Sequence, residues 1–356
     1  MHAARWIEGV DVFERWEFPW KALVGDAVNA TPFQTFEWQD TWFRHFGGRK
    51  KPVALAVFEG EDLLGWWPMV RSTGTWPVLR SMGKGPSDYL NPLIRRDATG
   101  VGAAMAAALA EIDAVLVDLH QLRSDLAGDL IPHLVGLRSP PISQAECLVL
   151  ELDKPYGTYV QSLGKSLRYD VRRLEKEPFN GGGATIELAE ASTVRASLED
   201  LFRLHAMRWR RRWQPGAFPA NLRRFHLEWA ARAQARGWLE LSLLILEGEP
   251  IGALYAMSLN GSTYYYQAGM DPSKNSISPG TLLVASAIRR ATERGDKRFD
   301  FLRGDEAYKR RWKPQQAYTN SRYLIGGAGV RTTAGLKWNQ VGSRIEANIR
   351  ARLEAR

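Results

Sequence analysis

The sequence predicts an α/β protein with mixed (α+β) sheets, arranged as two similar domains over residues 1–150 and 151–356. Three observations carry this. At 356 residues the chain exceeds the usual size of one domain, so two are the default. Two apolar hairpins, PVALAVFEGEDLLGWWPMV and LELSLLILEGEPIGALYAMSLNG, each fold about a Glu-Gly-Glu turn. Each hairpin is then followed by the same order of polar loop, helix and buried strand, which reads as an internal duplication.

The opening residues, MHAARWIEGVDVFERW, carry acids where an export signal needs an apolar run. After the first hairpin comes SMGKGPSDYLNPLI, a Gly/Pro-rich loop, then an alanine-rich helix at about 101–111 and the buried strand AVLVDLHQL. This most apolar stretch is interrupted by Glu111, Asp113 and Asp118, so it is not a membrane span, and a soluble cytoplasmic protein is expected. SPPISQ and DKPYG punctuate the domain boundary.

In SLGKSLRYDVRRLEKE, Leu163, Leu167, Val171 and Leu174 recur at helical spacing with cations opposite. A helix at about 195–213 gathers Leu198, Leu201, Phe202, His205 and Trp209, and from Arg203 to Arg224 there are seven arginines and no acid. After the second hairpin come the strand STYYYQAGM, a helix at about 280–294 stopped by Gly295, and the strand RFDFL. GLKWNQVGSRIEANIRARLEAR predicts a last amphipathic helix through Val341, Ile345 and Ile349.

A net charge of +9 and a pI near 9.6 call for an anionic partner: nucleic acid, an acidic membrane surface or a phosphate-bearing cofactor. The single cysteine, Cys147 in CLVLEL, excludes an intramolecular disulfide framework and reads as a core-strand residue. No metal-ligand spacing and no Gly-x-Ser-x-Gly elbow occur, so no metal is expected.

Two segments offer chemistry. In SISPGTLL, Pro279 suits the first helical turn, Gly280 permits close approach, and the helix start flanked by Ser278 and Thr281 presents N–H groups to a pyrophosphate. The plainer reading is an ordinary strand-to-helix connection. In FDFLRGDEAYKRRWKP, residues 299–314, a buried strand ends at Arg303 and Gly304, and the last eight residues read as a basic helix. Asp305 or Glu306 caps that helix, and Tyr308 and Lys309 fall in its first turn at the carboxyl edge of the sheet, where α/β sheets bind ligands. A tyrosine there suits protonation of a leaving thiolate or alkoxide, and a lysine suits stabilisation of an oxyanion; a salt-bridged corner is the alternative. His205 and Trp209 lie one turn apart in LHAMRW, where a core histidine is the plainer reading. Tyr264, Tyr265 and Tyr266 alternate along a strand, and Asp88 and Tyr89 follow a glycine-rich turn.

The run SISPGTLLVASAIRRATERGDKRFDFLRGDEAYKRRW resembles the core of GNAT acyltransferases. Together with LHAMRW, TPFQTFEWQDTWFRHFG and SDYLNPLI it resembles the CelD family, tandem-GNAT proteins of cellulose and exopolysaccharide biosynthesis related to the Fem aminoacyl transferases. The resemblance spans about residues 31–325. It implies acetyl-CoA as acyl donor, held by Ser278, Gly280, Thr281 and Arg303, with Tyr308, Lys309 and Asp305 at the reaction centre. It implies a small-molecule or saccharide acceptor near His205, Trp209, Asp88, Tyr89 and Tyr265, and a degenerate first domain. The pyrophosphate loop departs from the GNAT pattern Gln/Arg-x-x-Gly-x-Gly/Ala: Asn275 stands at the lead position in place of Gln or Arg, Ser278 replaces the first glycine, and Pro279 removes one donor. A Fem-like transferase using charged tRNA is therefore the alternative, beside a non-catalytic nucleic-acid-binding protein or an inactive component of a polysaccharide system.

Overall fold

The structure, a computed structural model, describes residues 2–73, 77–112, 116–135, 140–174, 183–210 and 218–326. The chain divides into two compact units: one holds the residues up to Gln144 and those from Thr319 on, the other Ala145–Tyr318.

The first unit contains β1 (Ala3–Glu8), α1 (Asp11–Glu14), α2 (Glu17–Asp26), α3 (Phe36–Phe46), β2 (Lys51–Glu59), β3 (Asp62–Arg71), β4 (Val78–Ser81), β5 (Leu93–Ile94), α4 (Val101–Glu111), β6 (Leu116–Arg123) and α5 (Leu130–Val135). Its strands run in the order β1-β2-β3-β4-β6, and β6 then pairs with β13 (Gln316–Ile325), which returns from far along the chain. The β2–β3 hairpin turns at Gly60, whose φ of 61° lies in the left-handed region that glycine adopts without strain. Val53, Leu55 and Val57 share one face of β2 by the two-residue period of a strand and join Val101 and Met105 of α4 in the core. Each such fully buried side chain contributes roughly 1.5–3 kcal/mol. β4 and β6 pair in parallel, so a crossover is required between them, and α4 supplies it.

The second unit repeats this order. It contains β7 (Ile142–Glu151), α6 (Tyr156–Ser162), α7 (Lys165–Leu174), β8 (Ala184–Leu188), α8 (Val194–Arg210), α9 (Ala220–Ala235), β9 (Leu239–Leu246), β10 (Glu249–Leu259), β11 (Ser262–Met270), α10 (Pro279–Arg294), β12 (Arg298–Arg303) and α11 (Ala307–Arg310). The strand order is β8-β9-β10-β11-β12-β7, and β11 and β12 form the parallel pair, crossed over by α10. Glu247 and Gly248, both at positive φ, make the two-residue hairpin turn that matches strand twist. Gly295 at φ 86° ends α10, its N–H reaching the carbonyls of Ala291 and Thr292. Cys147 is buried in β7. Among the described residues, no helix is long and apolar enough to cross a membrane, and no group of three or more metal-ligating side chains forms.

Two sequence expectations change, and a third is untested. The helix expected over the last eight residues of 299–314 is a single turn, because Lys313 is left-handed (φ 53°) and Pro314 follows. Leu163 is not part of α7 but sits extended at the end of α6, one residue before Gly164. Residues 211–217 and the helix expected through Val341, Ile345 and Ile349 lie outside the described residues.

Candidate functional site

The parallel pair of the second unit holds for only three rungs: Ser262↔Arg298, Thr263↔Phe299 and Tyr264↔Asp300. Beyond Tyr264, β11 continues to Met270 with no ladder on its β12 side. Two local features drive the strands apart. Leu302 adopts φ 57°, held there by its N–H donating to Asp300 Oδ1 at 2.8 Å, and the register of β12 with β7 shifts between Asp300 and Arg303. A bulge in β11 at Tyr266, between the rungs Tyr255↔Gln267 and Ala256↔Tyr265, bends β11 where it leaves β12. Within the opened stretch, the Ala268 N–H takes the Gln267 side-chain oxygen as acceptor, at 3.2 Å.

The start of α10 faces this opening. Ser278 is left-handed (φ 48°) and its carbonyl accepts from the N–H groups of Thr281 (2.9 Å) and Leu282 (3.2 Å). Pro279 has no N–H, which leaves the Gly280 N–H as a first-turn donor with no main-chain acceptor among the described residues. A Cβ on Gly280 would lie 2.9 Å from Met270 Cε, so glycine lets the helix start close over β11.

These elements enclose a cavity of about 350 Å³. Ser278, Gly280 and Thr281 line it from α10, Tyr265 from β11 and Tyr308 from α11, so five of the residues singled out by sequence converge. Tyr308 Oη donates to Tyr265 Oη at 3.4 Å. Leu167, Met270, Asn275, Pro279, Val284, Arg311 and Trp312 complete the lining. Arg311 lies 3.4 Å from Asp170 of α7, which offsets part of its charge. Trp312 is anchored through its carbonyl, which accepts from Tyr159 Oη at 2.7 Å.

The other expected residues stand elsewhere. Lys309 is buried, and its ammonium donates to the carbonyls of Arg303 (2.7 Å) and Gly304 (3.2 Å) and pairs with Glu306 (2.9 Å). Its three donors are therefore used within the 303–306 turn. Asp305 pairs with Arg310, whose hydrogen bond holds the carboxyl below the usual range. Arg303 lends its carbonyl to Lys309 and is not among the lining residues. His205 is buried on α8 with Phe218 edge-on at 5.1 Å. The backbone of α8 there comes so close to β11 that a Cβ on Gly269 would meet His205 N at 2.5 Å. The side chain of Trp209 lies outside the described ones. Asp88 and Tyr89 belong to the first unit and are buried: the Asp88 carbonyl accepts from Asn320 Nδ2 (2.8 Å), and Tyr89 Oη accepts from Arg123 Nη1 (2.8 Å).

The corresponding place in the first unit is closed by its own chain. After Arg80↔Asp118, β6 loses β4, and the Leu90 N–H donates to the Gln121 carbonyl at 3.0 Å. The Asn91 carboxamide takes both main-chain groups of Arg123, at 2.9 and 3.1 Å. At the start of α4, the Asp129 carboxylate accepts from the N–H groups of Gly102 (2.8 Å) and Ala103 (3.4 Å). Asp118 itself is buried against Arg322 (2.6 Å), His120 (3.0 Å) and Arg80 (3.4 Å). Burial alone would raise its carboxyl, but hydrogen bonds from His120 and Arg322 outweigh that and hold it far below the usual carboxylate range.

Residues 165–310 match the acetyltransferase (GNAT) domain family, a span that includes β11, α10, β12 and all of the cavity except Arg311 and Trp312. No curated protein matches the chain. Its fold is GNAT-like. It is similar to FemX over 88% of this chain and 94% of that one, at 13% identity and a TM-score of 0.64. It is also similar to the C-terminal domain of a lysylphosphatidylglycerol synthetase from Agrobacterium fabrum, over 91% and 95%, at 13% identity and 0.55. A tandem GNAT protein from the clavulanic acid biosynthesis pathway aligns over 92% and 100%, at 12% identity and 0.50.

Proposed function

We propose that the chain is an acyltransferase that receives an acyl-CoA, acetyl-CoA first among them, in the cavity of the second unit and passes the acyl group to an amine or hydroxyl acceptor. The observation that carries this reading is the convergence of an opened parallel strand pair and a helix start on one cavity. When bound, the donor supplies a thioester carbonyl open to nucleophilic attack. The Gly280 N–H and the positive end of α10 suit its diphosphate, an interaction of roughly 0.3–2 kcal/mol. Arg311 adds a cation at the same cavity. The unladdered side of Tyr265–Met270 offers main-chain groups to an amide-bearing arm, as an added strand would use them. Tyr308 Oη holds the proton to be returned to the leaving thiolate, with Tyr265 Oη as its neighbour. Lys309 fixes the 303–306 turn that positions Tyr308, and His205 is read as a packing residue.

The first unit is read as a degenerate copy, and a CelD-type role with a saccharide acceptor is the physiological setting we favour. The test is calorimetric titration with acetyl-CoA. Saturable binding that is lost in Gly280→Glu is expected; absence of binding by any CoA thioester, with saturable binding of charged tRNA, would overturn the reading in favour of a tRNA-borne donor.

A further inference from the structure

Helix α7 presents two chemically opposite faces. Leu167 and Val171 are buried in the core of the second unit. The other side carries Lys165, Arg168, Tyr169, Arg172 and Arg173, which together with Ser166 line an open hollow of about 820 Å³. The helix has one acid, Asp170, and it is engaged by Arg311 at 3.4 Å. Among the described residues, neither Lys165 nor Arg172 has a carboxylate partner, and Tyr169 is 66% exposed. None of this surface serves the donor cavity, which α7 meets through Leu167.

We propose that this face of α7 binds single-stranded polynucleotide, gripping the phosphates with its cations and stacking a base on Tyr169. Lys165, Arg168 or Tyr169, and Arg172 recur at intervals of three to four residues, so they form one stripe along the helix. From Lys165 to Arg172 the stripe rises about 10 Å, enough for its cations to meet neighbouring phosphates of one strand. An aromatic ring set among cations is the platform on which single-stranded chains stack without sequence preference. A lipid surface is the poorer fit. A helix lying in a bilayer interface needs an apolar face for the acyl chains, and Leu167 and Val171 of α7 are already in the core. The inference is independent of the acyl-donor reading.

The test is fluorescence anisotropy of a labelled single-stranded RNA of about 15 nucleotides, within the span such surfaces cover, across a salt series on the full chain. Wild type is expected to bind with affinity falling steeply as salt rises. Lys165→Glu with Arg172→Glu, both at exposed positions, is expected to weaken binding about tenfold or more and flatten the salt slope. Tyr169→Ala is expected to weaken it roughly fivefold while leaving the slope unchanged. Gly280→Glu is expected to leave RNA binding intact, which separates this surface from the cavity. RNA affinity unchanged in the charge-reversed variant, with its fold verified by circular dichroism, would overturn the proposal. So would the absence of RNA binding at low salt, or capture by vesicles of equimolar phosphatidylcholine and phosphatidylglycerol without any RNA binding.

Discussion

The last rung of the parallel pair is Arg80↔Asp118 in the first unit and Tyr264↔Asp300 in the second, and beyond that rung the two units part ways. In the first, the chain supplies its own substitute for a ligand: residues 90 and 91 occupy the main chain of β6, and a carboxylate sits on the N-terminal N–H groups of the crossover helix. In the second, the parted strands and the helix start open on a cavity, lined from the β11 side by Tyr265 and Met270. The two aspartates at matching places show how the difference arises. Asp118 is absorbed in a buried ion cluster, whereas Asp300 bends its own strand by accepting the Leu302 N–H. The same fold thus becomes a plugged scaffold or a receptive one, depending on a few polar side chains.

That contrast is open to attack from both sides. The largest expected effect is in the closed unit: Arg322→Met leaves Asp118 buried without its nearest cation and should cost roughly 3–5 kcal/mol in urea unfolding. In the open unit, Gly280→Glu places a carboxylate at the helix start and presses on Met270, so acetyl-CoA affinity should fall about thirtyfold or more, ~2 kcal/mol, by calorimetry. If the closed unit is truly plugged, wild type should bind one acetyl-CoA per chain; two would break the comparison. Tyr308→Phe, which removes only the Oη, should lower kcat about 10- to 100-fold with donor affinity unchanged.

Acid should separate the units by mechanism. Burial pulls the His226 imidazole of the second unit down to about 3, so folding excludes a proton that the unfolded chain takes up below its usual value near 6.5. Stability from this group is present above about pH 6.5 and is lost toward pH 3, at roughly 1.4 kcal/mol per unit. His120, likewise lowered by burial, adds to the same window in the first unit, and the Asp118 contribution is lost only as pH falls below about 4. Urea midpoints measured from pH 7 to 4 should therefore fall less steeply in His226→Phe than in wild type. The smallest effect is Asp129→Ala: loss of the cap on Gly102 and Ala103 should cost about 1 kcal/mol and leave acetyl-CoA stoichiometry unchanged.

The repeated order of hairpin, helix and buried strand was legible because apolar periodicity and turn glycines are local signals: α4 spans the expected 101–111, and α10 ends at Gly295. The helix start at Ser278–Thr281 was legible for the same reason. Lys309 was not, since a lysine reads as solvated until the carbonyls that surround it are known. Arg311 and Leu167 escaped as well. The first reaches the cavity only because α11 stops after one turn, and the second through packing between helices distant in sequence. The plug in the first unit was invisible for a similar reason: Asp129 lies 27 residues from the N–H group it caps, and no local pattern encodes that distance.

The returning strand β13 has a consequence for biosynthesis. Arg322, the closest partner of Asp118, and Asn320, which donates to the Asp88 carbonyl, are translated after every residue of the second unit. A ribosome that has finished Tyr318 has made all of the second unit, while the first still lacks the nearest cation of Asp118 and the strand that pairs with one edge of β6. Domains of a nascent chain generally fold in the order they are made. Here the half made first receives its closing strand only after the whole of its neighbour has been synthesised.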